Sequence, residues 1–233
     1  MTATKRLNDV PEHEAGWVLL TDGVPHSKHT EWEARSPFGS VMTAVVLDKD
    51  GKPVFDRPIY REAPNVNIVA FGREKDGTVR VAVIRQPRPH ADDPEQPGVD
   101  GHAPVVFGQV PMGFLEKLIG ETPEDAARRE TGEETGATTV KAVSQPNYPH
   151  HNPNPTFVAT WSDLYFVEVD LERIEALRST RNEPIYSAEY ITVPELLRRV
   201  REGKDEQGGV YRMCTSNSIW LIFFATYPEF FLA

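Results

Sequence analysis

Apolar residues fall into short blocks or alternate with polar ones through much of the chain, and that period of two predicts strands separated by turn-forming residues. Gly16–Thr21, Ser40–Leu47 and Pro53–Tyr60 read this way, with Asp50-Gly51 as the turn between the last two. Val66–Phe71 and Val79–Ile84 flank Lys75-Asp76-Gly77 and form a hairpin, and Val105–Val110 is a further strand. Proline, aspartate and glycine crowd the stretch from Pro87 to Ala103, which predicts an exposed loop. Thr139–Ser144, Trp161–Val169 and Glu189–Val193 are the later strands.

The period changes in three places. Pro194–Glu202 predicts a short helix opened by Pro194 and stopped by Gly203. From about Thr215, residues Ile219, Ile222 and Phe223 fall at helical spacing, and Trp220 and Phe224 widen the apolar face. In mid-chain the signals are polar: Thr122 caps a helix, Pro123 suits its first turn, Asp125 completes a capping-box-like pair, and Gly136 supplies a left-handed stop. Strands on both sides of a mid-chain helix, with a helix near the end, predict an α/β fold with a mixed sheet between helices. The first strands are too few and short to bury a face by themselves. Residues 1–65 are therefore an expected N-terminal β extension packed on the main domain, 66–233, or on a second subunit.

The mid-chain helix breaks local rules. Glu130, Glu133 and Glu134 project toward one side, and like charges at that spacing cost roughly 0.2 to 0.5 kcal/mol per pair. Glu133 and Glu134 also lie at the negative end of the helix dipole, and Gly132 adds about 1 kcal/mol relative to alanine. Several violations in one turn mark a functional site. Hard divalent cations take carboxylate oxygens, so bound metal would turn the repulsion into coordination.

The run Glu121, Arg129-Glu130, Glu133-Glu134, Gly136 resembles the signature of the Nudix hydrolases, G-x5-E-x7-R-E-U-x-E-E-x-G-U with U a bulky apolar residue. Three positions depart from it. Seven residues instead of five separate Gly113 from Glu121, and Thr131 and Ala137 fill apolar slots, which predicts weaker packing beneath the helix. The flanks are similar to ADP-ribose pyrophosphatases and related nucleoside diphosphate sugar hydrolases. Val83–Pro89 carries a Gln-x-Arg pattern, and Gln109-Val110-Pro111-Met112-Gly113 stands where that branch has Glu-x-Pro-Ala-Gly. An Asn-Pro-rich loop, Asn152 to Phe157, precedes a strand as in several such sequences.

The resemblance implies an α/β/α sandwich and Mg²⁺-dependent hydrolysis of a diphosphate, with Mn²⁺ as an alternative metal. It makes Glu130 and Glu134 the principal metal ligands, Glu133 a further ligand or an orienting partner, and Arg129 the residue that fixes the helix by pairing with a carboxylate. Glu121 either coordinates metal or stabilises the loop before the helix. Arg85 and Arg88 are candidates for forked hydrogen bonds to phosphate, the alternative for Arg85 being a solvated surface arginine. Gln109 and Asn154 complete the candidate substrate set, and His150 and His151 offer donors near neutral pH. Glu183 is the candidate general base, with Glu189 in reserve. The competing readings are a Nudix-fold sensor that binds a nucleotide sugar without cleaving it, and hydrolysis of another diphosphate or of a nucleoside triphosphate.

Composition sets outer limits. The 233 residues are 39% hydrophobic with 20 prolines, and no apolar run approaches the roughly 18 residues of a membrane span. A net charge of −10 argues against a surface that coats nucleic acid. The lone Cys214 and the polar start of the chain lead to the expectation of a cytoplasmic enzyme, and the early strands to that of a homodimer.

Overall fold

Val66, Ile68 and Ala70 point to one side of a strand and Val69 and Phe71 to the other, and all five are buried. A strand covered on both faces belongs at the centre of a sheet with helices above and below. The computed structural model describes residues 17–21, 35–36, 39–47, 50, 53–88, 105–116, 119–152, 161–177 and 185–231. Two compact units divide the chain: Met1–Pro64 with Asn152–Trp161, and Asn65–His151 with Ser162–Ala233.

In the first unit, β1 (Trp17–Thr21), β2 (Arg35–Ser36), β3 (Gly39–Leu47) and β4 (Pro53–Glu62) form an antiparallel sheet in which β3 pairs with the other three. The second unit holds β5 (Asn65–Arg73), β6 (Val79–Arg88), β7 (Val105–Gln109), β8 (Met112–Phe114), β9 (Val140–Ser144), β10 (His150–His151), β11 (Ser162–Val169) and β12 (Ser187–Thr192). Their path runs β10-β11-β5-β6-β12, with β7 on β6, β8 on β5 and β9 on β11. The pairing of β11 with β5 is parallel and the others are antiparallel, so the sheet is mixed.

Strand alternation sends the two halves of each strand's side chains to different helices. Val66, Ile68, Ala70, Ala82, Tyr165 and Val167 meet Ala126 and Ala127 of α1 (Pro123–Thr135). Val69, Phe71, Val81, Val83, Phe166 and Ile191 meet α2 (Val193–Glu202), α3 (Cys214–Thr226) and α4 (Pro228–Phe231) through Leu196, Ile219, Phe223 and Phe230. Phe223 anchors this layer, with its ring 5.1 Å from that of Phe71 and 5.2 Å from that of Phe166. The result is the α/β/α sandwich. Among the described residues no helix is long and apolar enough to cross a membrane.

Two local expectations change. β6 continues to Arg88, four residues past Ile84, because Ile84–Arg88 pair with β7. Pro87 lies beyond the last partner on β12, where the strand has one neighbour and a missing N–H is tolerated. Thr131 does not loosen the underside of α1: it is fully buried and its hydroxyl donates to the Ala127 carbonyl at 2.7 Å. Ala137 is likewise buried in the same layer.

Candidate active site

The acid helix begins and ends on local chemistry. The Thr122 hydroxyl accepts from the Asp125 N–H at 3.2 Å and donates to the Asp125 carboxylate at 2.6 Å. Gly136, at φ 74°, closes the helix in the left-handed conformation with its N–H on the Gly132 carbonyl at 3.0 Å. Between these caps, Glu130 and Glu134 turn inward and are 7% and 2% exposed, whereas Glu133 stays exposed.

Buried carboxylates persist only with hydrogen bonds or counter-charges. The Met112 N–H donates to Glu134 at 2.8 Å. Glu130 sits against Gly113, where an added Cβ would fall 1.9 Å from its carboxylate. The first glycine of the motif is thus a gap that the acid fills. A Gly113→Ala variant should keep its melting temperature within a few degrees but displace Glu130, lowering kcat/KM about a hundredfold, since an ångström of misplacement at a site costs that much. Steady-state kinetics beside thermal melts check this.

Arg129 organises the remaining acids. Its guanidinium donates to Glu121 at 2.8 and 3.0 Å, to Glu130 at 2.7 Å, to Glu133 at 3.3 Å and to the Phe114 carbonyl at 3.0 Å. Glu121 also accepts the Glu116 N–H at 2.8 Å, which closes the loop ahead of the helix. Hydrogen bonding to Arg129 holds the Glu121 carboxyl below the usual carboxylate range, and the same pairing pushes the guanidinium still higher. Among the described residues no three His, Cys, Asp or Glu side chains stand in a metal-holding group, and Arg129 is bonded to Glu121, Glu130 and Glu133. Their chemistry nonetheless fits a hard divalent cation: oxygen donors four residues apart on one helix, buried beside a strand whose glycine leaves room for a carboxylate.

The flanking candidates separate by face. Arg88 lies on the α1 side, where its Nε donates to Gln109 at 3.1 Å; Gln109, fully buried, donates to Gln86 at 2.7 Å. Arg88 also reaches the Met112 sulfur at 3.5 Å, next to the N–H that holds Glu134. Gln86, Met112 and Gly113 were missed as site residues. Strand alternation could have found Gln86, two positions from Arg88.

Arg85 points to the opposite face. It pairs with Asp205 at 3.5 Å and bonds Gln207 through that residue's side chain and its carbonyl, the latter at 3.2 Å. It is neither a solvated arginine nor a neighbour of the acid helix. Glu189 shares the strand face of Ile191, on the α2 side, and is engaged by Arg199 at 3.3 Å. Asn154 and Glu183 lie outside the described residues. His150 Nδ1 donates to the Asp163 carboxylate at 2.8 Å, and burial lowers the pKa of His151.

A cleft of about 520 Å³ runs along the outer side of α1, lined by Arg128, Arg129, Glu133, Gly136, Thr138 and Glu175 among others. Its volume falls within the range of small-molecule sites.

A mixed sheet between helix layers, with an arginine-clamped acid helix on one face, defines an α/β/α protein. Residues 61–212 match the NUDIX domain family, and the chain belongs to that family. No curated protein sequence matches it. Among solved structures it is similar to an ADP compounds hydrolase (TM-score 0.46, 16% identity, covering 83% of this chain and 90% of that one). It is also similar to the NUDIX domain of Shewanella oneidensis NrtR complexed with ADP ribose (TM-score 0.35, 15% identity, covering 58% of this chain and 76% of that one).

Proposed function

We propose that this Nudix protein hydrolyses the diphosphate linkage of a nucleoside diphosphate joined to a sugar or similar group, releasing a nucleoside monophosphate and a phosphorylated remainder. The observation that carries the reading is the burial of Glu130 and Glu134 four residues apart beneath the backbone of Met112 and Gly113. Two inward carboxylates at that spacing are costly in a helix that serves only packing.

Glu130 and Glu134 would hold Mg²⁺ or Mn²⁺, with Glu133 at the rim. When bound, such a cation screens phosphoryl oxygens and acidifies water. The protein's own groups do the positioning. Arg129 fixes the orientation of Glu130 and ties the helix to Phe114. Glu121 serves as the loop anchor, since both its oxygens are engaged by Arg129 and one also by Glu116. Gln86 and Gln109 set the direction of Arg88, whose planar head can take a phosphate oxygen pair. Glu183 remains the candidate for activating the nucleophilic water. In this reading the molecule works as a homodimer, and a light-scattering mass of 26.2 kDa at every concentration would contradict that part.

The test is a panel of diphosphates with Mg²⁺ in ¹⁸O-labelled water, read by mass spectrometry. Cleavage of sugar-linked nucleoside diphosphates, with label in one phosphate product, supports the proposal; turnover of triphosphates alone overturns it. One observation favours a second reading: Arg129 already pairs with three of the acids. A sensor would show stoichiometric ligand binding and no product over hours.

A further inference from the structure

The sheet carries a second set of polar groups level with the acid helix. In register, His150 of β10 stands opposite Asp163 of β11, Asp163 beside Val66 of β5, and Val66 opposite Gly113 of β8. Side chains in one such row share a face. Val66 packs into the α1 layer and Gly113 accommodates Glu130, so Asp163 and His150 project to the α1 side as well. Tyr165, two residues along β11 from Asp163, lies in the same layer. Strands lie about 4.8 Å apart, so three steps separate Gly113 from His150 by about 14 Å. That separation suits contact with the far portion of an extended substrate and excludes contact with the bond beside Glu130.

The dyad is built for directed hydrogen bonding. Asp163 accepts from His150 Nδ1 at 2.8 Å, which leaves Nε2 as the nitrogen facing outward on a half-exposed ring. Tyr148 meets this ring edge-on, at 89° and 5.6 Å between centroids. The perpendicular arrangement offers no parallel slot for a nucleobase, whereas a fixed imidazole nitrogen suits a hydroxyl.

We propose that His150, oriented by Asp163, is a substrate-positioning residue that hydrogen-bonds a hydroxyl of the sugar attached to the scissile diphosphate. This rests on the reading of the site as one for sugar-linked nucleoside diphosphates. It assigns to His150 a part in specificity that no residue of the acid helix can play from its place in the row.

The experiment compares the unmodified protein with His150→Ala, His150→Gln and Asp163→Asn on two probes, ADP-ribose and the β-methyl ester of ADP, which keeps the diphosphate linkage but lacks the sugar. His150→Ala should raise KM for ADP-ribose about tenfold, the effect of one lost hydrogen bond, with kcat retained and the methyl ester unaffected. His150→Gln and Asp163→Asn should fall between. Unchanged KM for ADP-ribose, or equal losses on both probes, overturns the proposal. Thermal melts should coincide, because the ring is half exposed. Calorimetric binding of ADP-ribose without divalent cation separates the two ideas. If the protein binds ADP-ribose but does not cleave it, the hydrolase reading falls, and a tenfold weaker affinity in His150→Ala still supports this one; no binding by the unmodified protein overturns it.

Discussion

A Glu134→Gln variant should lose metal-dependent diphosphate hydrolysis by more than about a hundredfold, given that even the outer partners of metal ligands cost ten- to a hundredfold when replaced. The substitution is chosen for what it preserves. Glu134 is buried and accepts the Met112 N–H at 2.8 Å, and a glutamine carbonyl can accept the same bond in the same volume. Only the negative charge and one hard oxygen donor disappear. The fold should therefore survive, and the protection that Mg²⁺ or Mn²⁺ gives against thermal unfolding should shrink with the activity. Kinetics over a metal titration, with melts at each concentration, make the check; undiminished turnover would remove Glu134 from the metal set and with it the main support for the proposed chemistry.

An Arg129→Met variant should show the largest loss of stability, on the order of 3 kcal/mol. Removing one partner of a buried ion pair costs about 3–5 kcal/mol, and the 23% exposure of the Arg129 side chain moves the figure to the lower end. At about 2–4 °C per kcal/mol for a chain of this size, the midpoint should fall by roughly 6–12 °C. The pH dependence identifies the cause. With Arg129 present, the Glu121 carboxyl titrates below its ordinary value of 4.5, so its contribution is complete above that pH and is lost as the pH falls through the native value. Without Arg129, the Glu121 carboxyl loses the guanidinium that holds its charge, and protonation relieves it. The difference in midpoint between the two proteins should thus be widest near neutrality and narrow toward pH 3. A constant offset over that range would show that Arg129 acts by packing alone.

The parts of the site that were legible in the sequence are those governed by neighbours a few residues away. Thr122, Pro123 and Gly136 bound the helix as their side-chain and backbone preferences require, and Arg129 meets Glu121, Glu130 and Glu133 on one side. The hairpin of β5 and β6 follows from Asp76-Gly77, where Asp76 accepts the Thr78 N–H at 2.8 Å. Less was legible where a residue's partner is distant in sequence. Arg85 and Arg88 look equivalent in Arg85-Gln86-Pro87-Arg88, yet three positions along a strand turn them to opposite faces, one to Asp205 and the other to Gln109. Glu189 looked available until Arg199, ten residues later, closed on it.

The amino-acid order by itself determined the helix, its caps, its unfavourable carboxylates and the period-two strands, because each depends on interactions within one or two turns or on side-chain alternation. Tertiary structure alone decided that Gly113 makes room for Glu130 and that His150 and Asp163 share a row with the acid site. Those facts depend on strand register, and register is set by how whole faces bury against two helix layers, a property that no local stretch of the chain contains.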